Sequence, residues 1–206
     1  MIFIGGESPG PEALGKIARE ADILVAADSG LMACEGAGLR ADWVIGDMDS
    51  LDDSGRLEKY PPERIRSYSP DKDHTDTELA LAFLRKKSCD EIWIAGGGGG
   101  RVDHLFALFS LFEKKLPPDR WFPGFIEIRC LGEGKFLRAT VPPGSTVSVF
   151  PLVAGPWAAD SSGLKWPLND LAWEKGGLGL SNTVLDGSFK IHTVRGRFLV
   201  TMPLYF

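Results

Sequence analysis

Up to Pro117-Pro118 this chain alternates short apolar runs with longer amphipathic ones, and beyond that point no long helical period returns. The change of texture constrains the fold more than any single residue does. Short strands, each followed by a helix-length segment, are the pattern of β-α units around a largely parallel sheet. The candidate strands are 2–4, 23–27, 43–45, 65–68 and 91–95, and the candidate helices are 11–20, 31–37, 51–60, 76–87 and 102–115. In the fourth helix Leu79, Ala80, Phe83 and Leu84 recur at helical spacing, while Glu78, Arg85 and Lys86 can stay in water.

The remainder reads as short β-rich runs separated by Gly and Pro: 125–130, 146–150, 189–194 and 198–202. Arg195-Gly196 joins the last two as a hairpin turn, since Gly takes positive φ readily. The expected architecture is an α/β N-terminal domain with a mostly parallel sheet, residues 1–125, followed by an all-β sandwich, residues 126–206, with the boundary near 117–135. At 206 residues the chain is long enough to bury such cores without a metal or disulfide staple.

Cys34, Cys89 and Cys130 lie far apart, without metal-like spacing, and their odd number fits a reducing compartment. The N-terminal Met1-Ile2-Phe3-Ile4-Gly5-Gly6 has neither a basic leader nor a cleavage signal, and no run approaches a membrane span. A soluble, cytoplasmic protein is expected. The net charge of −5 and the lack of a basic run argue against a nucleic-acid partner.

Polar loops follow several candidate strands: Ala27-Asp28-Ser29-Gly30, Gly46-Asp47-Met48-Asp49-Ser50 and Ser69 to Asp76. In an open parallel sheet such loops share the edge at which ligands bind, so acids distant in sequence can meet there. Asp47 and Asp49, two apart after a glycine, can both turn toward one small cation, and without it they repel. Magnesium prefers oxygen donors and commonly takes phosphate oxygens as further ligands, so a phosphate ester or anhydride is the natural co-ligand. An acid after a strand is also an ordinary turn or helix cap, and Asp76 illustrates this: it precedes an apolar helical run and can cap it, with Thr77 as the alternative.

No EF-hand fits, because neither acidic loop has the Gly at position six and Glu at position twelve. Gly96 to Gly100 lacks both the Lys-Ser/Thr of a Walker loop and the dinucleotide spacing. Its backbone amides can still hold phosphate at a helix start, with Arg101 to pair with it and Asp103 to orient a substrate cation or water. The alternative is a loose glycine turn that packs nothing.

Taken in order, Ala27-Asp28-Ser29-Gly30, Gly46-Asp47-Met48-Asp49-Ser50, Asp73-His74-Thr75-Asp76 and Gly99-Gly100-Arg101-Val102-Asp103-His104 resemble the motif series of the thiamine pyrophosphokinase family. Further on, Gly163-Leu164-Lys165-Trp166-Pro167-Leu168 and Gly179-Leu180-Ser181-Asn182 look like that family's thiamine-binding segments. The resemblance implies transfer of the pyrophosphoryl group of ATP to the hydroxyl of thiamine, giving thiamine diphosphate and AMP. By similarity, Asp47, Asp49 and Asp76 would hold Mg2+ on the triphosphate, and Asp28, Thr75, Arg101 and Asp103 would complete the site. Gly99, Gly100 and Lys72 would stand near the nucleotide. Thiamine is a cation with two aromatic rings, so Trp166, Ser181 and Asn182 suit its pocket as an aromatic face and hydrogen-bonding groups. The resemblance also implies a homodimer with shared active sites.

Two residues depart from the family's usual pattern, Met48 where it often has Phe and Ser29 where it often has Gly. The roles of His74 and His104 stay open, and His192 alternates within a β run. Two other readings remain: a haloacid-dehalogenase-like phosphatase with Asp47 as nucleophile, and a non-catalytic thiamine or nucleotide binder.

Overall fold

The computed structural model describes residues 1–49, 51, 54–174 and 176–206. Its chain forms two compact units, Met1–Leu111 with Trp121–Gly124, and Phe112–Arg120 with Phe125–Phe206. No helix among the described residues is long and apolar enough to cross a membrane.

In the first unit the elements follow as β1 (Ile2–Phe3), α1 (Pro11–Ala18), β2 (Val25–Ala27), α2 (Gly30–Gly36), β3 (Trp43–Gly46), β4 (Ile65–Ser67), α3 (Asp76–Lys86), β5 (Trp93–Ala95), α4 (Val102–Leu111) and β6 (Arg120–Phe122). Strands β5-β1-β2-β3-β4 lie side by side and all parallel, with Ile2 opposite both Val25 and Ile94, and Val44 opposite Ile65. Ile2, Phe3, Val25, Ala26, Val44, Ile45 and Ile94 are wholly buried, as expected of strands covered on both faces. The chain runs outward from β1 through β2 and β3 to β4, then returns to add β5 on the other side of β1. This reversal opens a crevice between β1 and β5 at the carboxyl ends of the strands, where open α/β sheets take ligands.

Two helical expectations change. Within 51–60 the observed element is a 3-10 helix, Ser54–Lys59; Ser50, Asp52 and Asp53 lie outside the described residues. The Pro61-Pro62 pair just beyond cannot continue a helix, and Gly55 weakens it from within. The helix expected over 102–115 stops at Leu111. The Pro117-Pro118 pair offers no amide hydrogens to continue the ladder, and the Arg197 guanidinium instead donates to the carbonyls of Phe112 (3.0 Å) and Lys114 (2.7 Å).

The second unit contains β7 (Ile126–Leu131), β8 (Phe136–Thr140), β9 (Thr146–Leu152), β10 (Ala158–Ser162), β11 (Gly179–Thr183), β12 (Ser188–Arg195) and β13 (Arg197–Pro203). Two antiparallel sheets, β11-β9-β13-β7 and β10-β12-β8, share one core. Leu137, Phe189 and Ile191 from one sheet meet Val147, Val149, Phe198 and Val200 from the other, a sandwich closed by the alternating faces of both sheets.

The Arg195-Gly196 hairpin is not what forms. β12 pairs with β10 and β8, whereas β13 pairs with β7 and β9, so Gly196 carries the chain from one sheet to the other. A single residue between two strands is too short for a two-residue hairpin loop. Gly196 has φ 83°, and a Cβ there would approach the Trp157 ring to 2.7 Å. Glycine was the correct signal for a sharp turn but carries no information about which sheet receives the next strand.

Candidate active site

The crevice between β1 and β5 is a cavity of about 600 Å3, within the range of small-molecule and cofactor sites. Its walls come from the loops at the carboxyl ends of the strands: Gly5, Gly6 and Glu7 after β1, Asp28 and Ser29 after β2, Thr75 and Asp76 at the start of α3, and Gly97 to Arg101 after β5. His104, Ala107, Leu108 and Leu111 contribute one side of α4. Gly5, Gly6 and Glu7 escaped the reading of the sequence as site residues, although a Gly-Gly pair directly after the first strand was the available signal.

Three acids from three loops converge at one side of this cavity. Carboxylate oxygens of Asp28, Asp47 and Asp76 all lie within 4.8 Å of one another. Local backbone makes this possible. Gly46, at φ 151°, leaves a gap in which a Cβ would sit 3.2 Å from the Asp28 Cβ and 3.3 Å from the Asp76 carboxylate. Asp28 and Met48 hold positive φ, 47° and 67°, conformations that cost a non-glycine residue about 1–3 kcal/mol and concentrate at functional sites.

Asp76 keeps its side chain free because another residue caps α3. Neither Asp76 nor Thr77 is the cap. Thr75 is, with its hydroxyl accepting from the Glu78 amide (3.2 Å) while Glu78 accepts from the Thr75 amide (2.9 Å). This reciprocal capping box leaves Asp76, one residue later, to face the acids. Asp49 is not one of the trio; it is exposed, and its amide lies 3.4 Å from Asp47 Oδ1.

Lys72 crosses the cluster. A turn places it, in which the Asp71 amide donates to Ser69 Oγ (3.2 Å) and the Lys72 amide to the Pro70 carbonyl (3.1 Å). Its ammonium lies 2.6 Å from Asp47 Oδ2 and 3.2 Å from Asp76 Oδ1, with only 15% of the side chain exposed. The hydrogen bond from Lys72 holds the Asp47 carboxyl below the usual carboxylate range. Burial pushes Asp76 up, against the pull of Lys72 and with the charges of Asp47 and Asp28 adding to the rise. For Lys72 itself burial acts downward, yet the hydrogen bonds and charges of Asp47 and Asp76 outweigh it and raise the pKa.

One ammonium does not satisfy three carboxylates. Among the described residues Asp28 Oδ1 is buried with no hydrogen-bond partner, and Asp76 Oδ1 is also buried, with Lys72 at ion-pair distance but outside hydrogen-bonding geometry. A buried, unpartnered carboxylate oxygen is costly unless a ligand completes it. Three oxygen donors around one point, one of them orphaned, suit a small hard cation such as magnesium.

Opposite the acids, the glycine run is fixed in place. The Gly97 amide donates to the Gly5 carbonyl (2.7 Å), and Gly98 exchanges hydrogen bonds with Glu7 at 2.7 and 2.9 Å. The alternative of a loose turn that packs nothing is therefore set aside. Arg101, just ahead of α4, forms a bidentate pair with Asp103, Nε lying 3.0 Å from Oδ1 and 3.2 Å from Oδ2. The pair lowers the Asp103 carboxyl and raises the Arg101 guanidinium. Both side chains are exposed, so solvent screens their attraction and the guanidinium can exchange partners for a phosphate. His104, whose role the sequence left open, lines the cavity beside Arg101.

Trp166, Ser181 and Asn182 come together in the second unit. Asn182 is buried; its Oδ1 accepts from the Trp166 amide (3.1 Å) and the Thr183 amide (2.9 Å), and its Nδ2 donates to the Trp166 carbonyl (2.6 Å). It thereby ties the Trp166 segment to β11. The indole of Trp166 is 52% exposed with the Lys165 ammonium 4.6 Å from its centre, so it offers a face that already attracts a cation. Ser181 sits at φ 58° where β11 shifts register against β9, its amide donating to Ser148 Oγ (3.0 Å).

The family model described as thiamin pyrophosphokinase, catalytic domain, matches residues 14–118, and the one described as thiamin pyrophosphokinase, vitamin B1 binding domain, matches residues 137–198. The chain is 28% identical over 191 residues to the thiamine pyrophosphokinase of Bacillus subtilis, covering 87% of this chain and 83% of that protein. In fold it is similar to the crystal structure of thiamine pyrophosphokinase from Bacillus subtilis, with a TM-score of 0.81, 22% identity, and 100% and 98% of the two chains covered. It is also similar to thiamin pyrophosphokinase from Candida albicans, with a TM-score of 0.73, 15% identity, and 99% and 88% covered.

Proposed function

The chain belongs to the thiamin pyrophosphokinase family of enzymes, and on that premise we propose that it transfers the pyrophosphoryl group of ATP to the hydroxyl of thiamine. The observation that carries the reading is the convergence of Asp28, Asp47 and Asp76 beside a cavity that is also lined by the glycine run from Gly97 to Gly100 and by Arg101. Asp28, Asp47 and Asp76 would hold magnesium, with the exposed Asp49 the fourth acid available to it. Bound there, magnesium would neutralise charge that builds on the triphosphate oxygens during transfer.

The protein's own groups supply the rest. Amides of Gly99 and Gly100 and the guanidinium of Arg101 bind phosphate oxygens and hold the chain of phosphates in line. Asp103 orients Arg101 until phosphate replaces it. The thiamine hydroxyl oxygen attacks the β-phosphorus; the bond from that phosphorus to the oxygen bridging to the α-phosphorus breaks, and AMP leaves. A carboxylate of the cluster receives the hydroxyl proton. The 1–125 region would thus serve catalysis, and the 126–206 region would bind thiamine, with the cationic thiazolium against Trp166 and hydrogen bonds from Ser181 and the Asn182-anchored segment.

A homodimer with shared sites accompanies this reading. Its support is the outer face of α4, where Val102, Phe106 and Phe109, at helical spacing, are 57%, 71% and 40% exposed, an apolar strip of the kind that marks an interface. A cytoplasmic setting is supported by the three free cysteines.

The test is AMP formation from ATP, followed by a coupled assay with thiamine and Mg2+ present or omitted. The reading requires AMP to appear only with both and in step with thiamine diphosphate. AMP released at the same rate without thiamine would contradict it.

A further inference from the structure

Three carboxylates within 4.8 Å of one another at low exposure repel one another unless a positive charge or a proton lies among them. In the protein alone that charge is Lys72, whose ammonium reaches Asp47 at 2.6 Å and Asp76 at 3.2 Å. These are two of the three acids that the preceding reading gives to magnesium. The contacts are not those of a surface pair that breaks freely: the Lys72 side chain is 15% exposed, and those of Asp47 and Asp76 are 11% and 21% exposed. They are also asymmetric, since Asp28 Oδ1 receives no hydrogen bond among the described residues.

We infer that Lys72 is a built-in counter-cation that competes with the metal for Asp47 and Asp76 and must leave them before the acids can take a divalent ion. The inference rests on the reading of these acids as a metal site. Its physical basis is that an ammonium and a divalent cation cannot use the same carboxylate lone pairs at contact distance, and that each repels the other. Lys72 therefore keeps the empty cluster assembled and sets a cost on metal binding in the absence of nucleotide. The chain carries Lys72 on the 69–75 loop, outside α3, so it can withdraw without disturbing the helix that fixes Asp76. The Thr75–Glu78 capping box holds that helix start by itself. Lys72 is thus a positioning residue for the acids, and it weakens their affinity for metal while protecting their arrangement.

The experiment measures Mn2+ binding to the nucleotide-free protein by electron paramagnetic resonance, for the wild type, Lys72→Met, Lys72→Arg and Asp47→Asn. Removing the Lys72 charge, with its hydrogen bond to Asp47 and its ion pair to Asp76, should tighten Mn2+ binding in Lys72→Met by roughly tenfold to a hundredfold. Lys72→Arg should stay near the wild type, because it restores the competing charge. Melting in EDTA should place metal-free Lys72→Met below the wild type, with the gap narrowing when Mn2+ is added. Unchanged or weaker Mn2+ binding in Lys72→Met, with binding abolished in Asp47→Asn, would overturn the inference while leaving the metal site standing. Mn2+ binding that is the same in Asp47→Asn as in the wild type would instead remove the metal reading of the acids, and with it the inference.

Discussion

The two units treat their buried polar groups in opposite ways. In the α/β unit, Asp28 Oδ1 is a buried carboxylate oxygen with no hydrogen-bond partner among the described residues, and a lysine is shared between two neighbouring acids. In the sandwich, buried Asn182 has both its oxygen and its nitrogen engaged with backbone groups. The sandwich also contains unpartnered atoms, Trp173 Nε1 and Thr193 Oγ1, but these are neutral and cost far less than charge. Satisfied polar groups report a structural task, while clustered, unsatisfied charges report a ligand that the chain does not itself supply.

Replacing an acid of the cluster is the largest way to test that contrast. Asp76→Asn should lower thiamine-dependent AMP formation by about a thousandfold, the scale of losing a group that stabilises transition-state charge. The same change should leave the melting temperature of the metal-free protein equal or higher, because it removes a buried carboxylate from a repelling set. A fall in stability alongside activity would mean that Asp76 is structural and would erase the contrast. In the sandwich the expectation reverses. Asn182→Ala should destabilise by about 1–3 kcal/mol, since the Trp166 backbone groups lose buried partners, as read from denaturant midpoints. An unchanged midpoint would show that Asn182 serves ligand more than fold.

The smallest effect is in pH dependence. Asp76 titrates above its ordinary value near 3.8 in the folded protein, so between that value and its raised one the folded state binds more protons than the unfolded state. Stability from this group is then lost as pH rises through that window. Asp47, lowered by Lys72, acts in the opposite sense below it. Melting of metal-free protein across the acid range should therefore show a falling component with rising pH that Asp76→Asn removes; an identical pH profile for the variant would contradict this.

Much of this was legible in the sequence. The period of apolar residues revealed the parallel strands, and the rule that ligands gather at strand carboxyl ends placed the loops of Asp28, Asp47 and Asp76 at one edge. The metal set that the resemblance implied was Asp47, Asp49 and Asp76, whereas the three carboxylates that meet include Asp28 instead of Asp49. Other features depend on contacts that no local pattern encodes. β10 reads Ala-Ala-Asp-Ser-Ser, a sequence with little strand preference of its own, and is a strand because β12 pairs with it. The carbonyls of Phe112 and Lys114, just past α4, find their donor in Arg197, more than eighty residues away. Thr75 was recognisable as a cap from Glu78 three residues later, but Asp76 and Thr77 offered equally plausible side chains, and only the hydrogen bonds separate them. Lys72 could be suspected of meeting phosphate; that it spans two acids follows from the fold of a loop.

The proposed function requires that the acids meeting at the sheet edge hold a metal during pyrophosphoryl transfer to thiamine. The most direct test measures thiamine diphosphate formation against free Mg2+ for the wild type and Asp28→Asn, because Asp28 contributes a buried oxygen without a hydrogen-bond partner among the described residues, and Lys72 pairs with the other two acids. Strict Mg2+ dependence is expected in the wild type and, in Asp28→Asn, turnover that is lost or recovered only at much higher Mg2+. Wild-type Mg2+ dependence and rate retained in Asp28→Asn would contradict it.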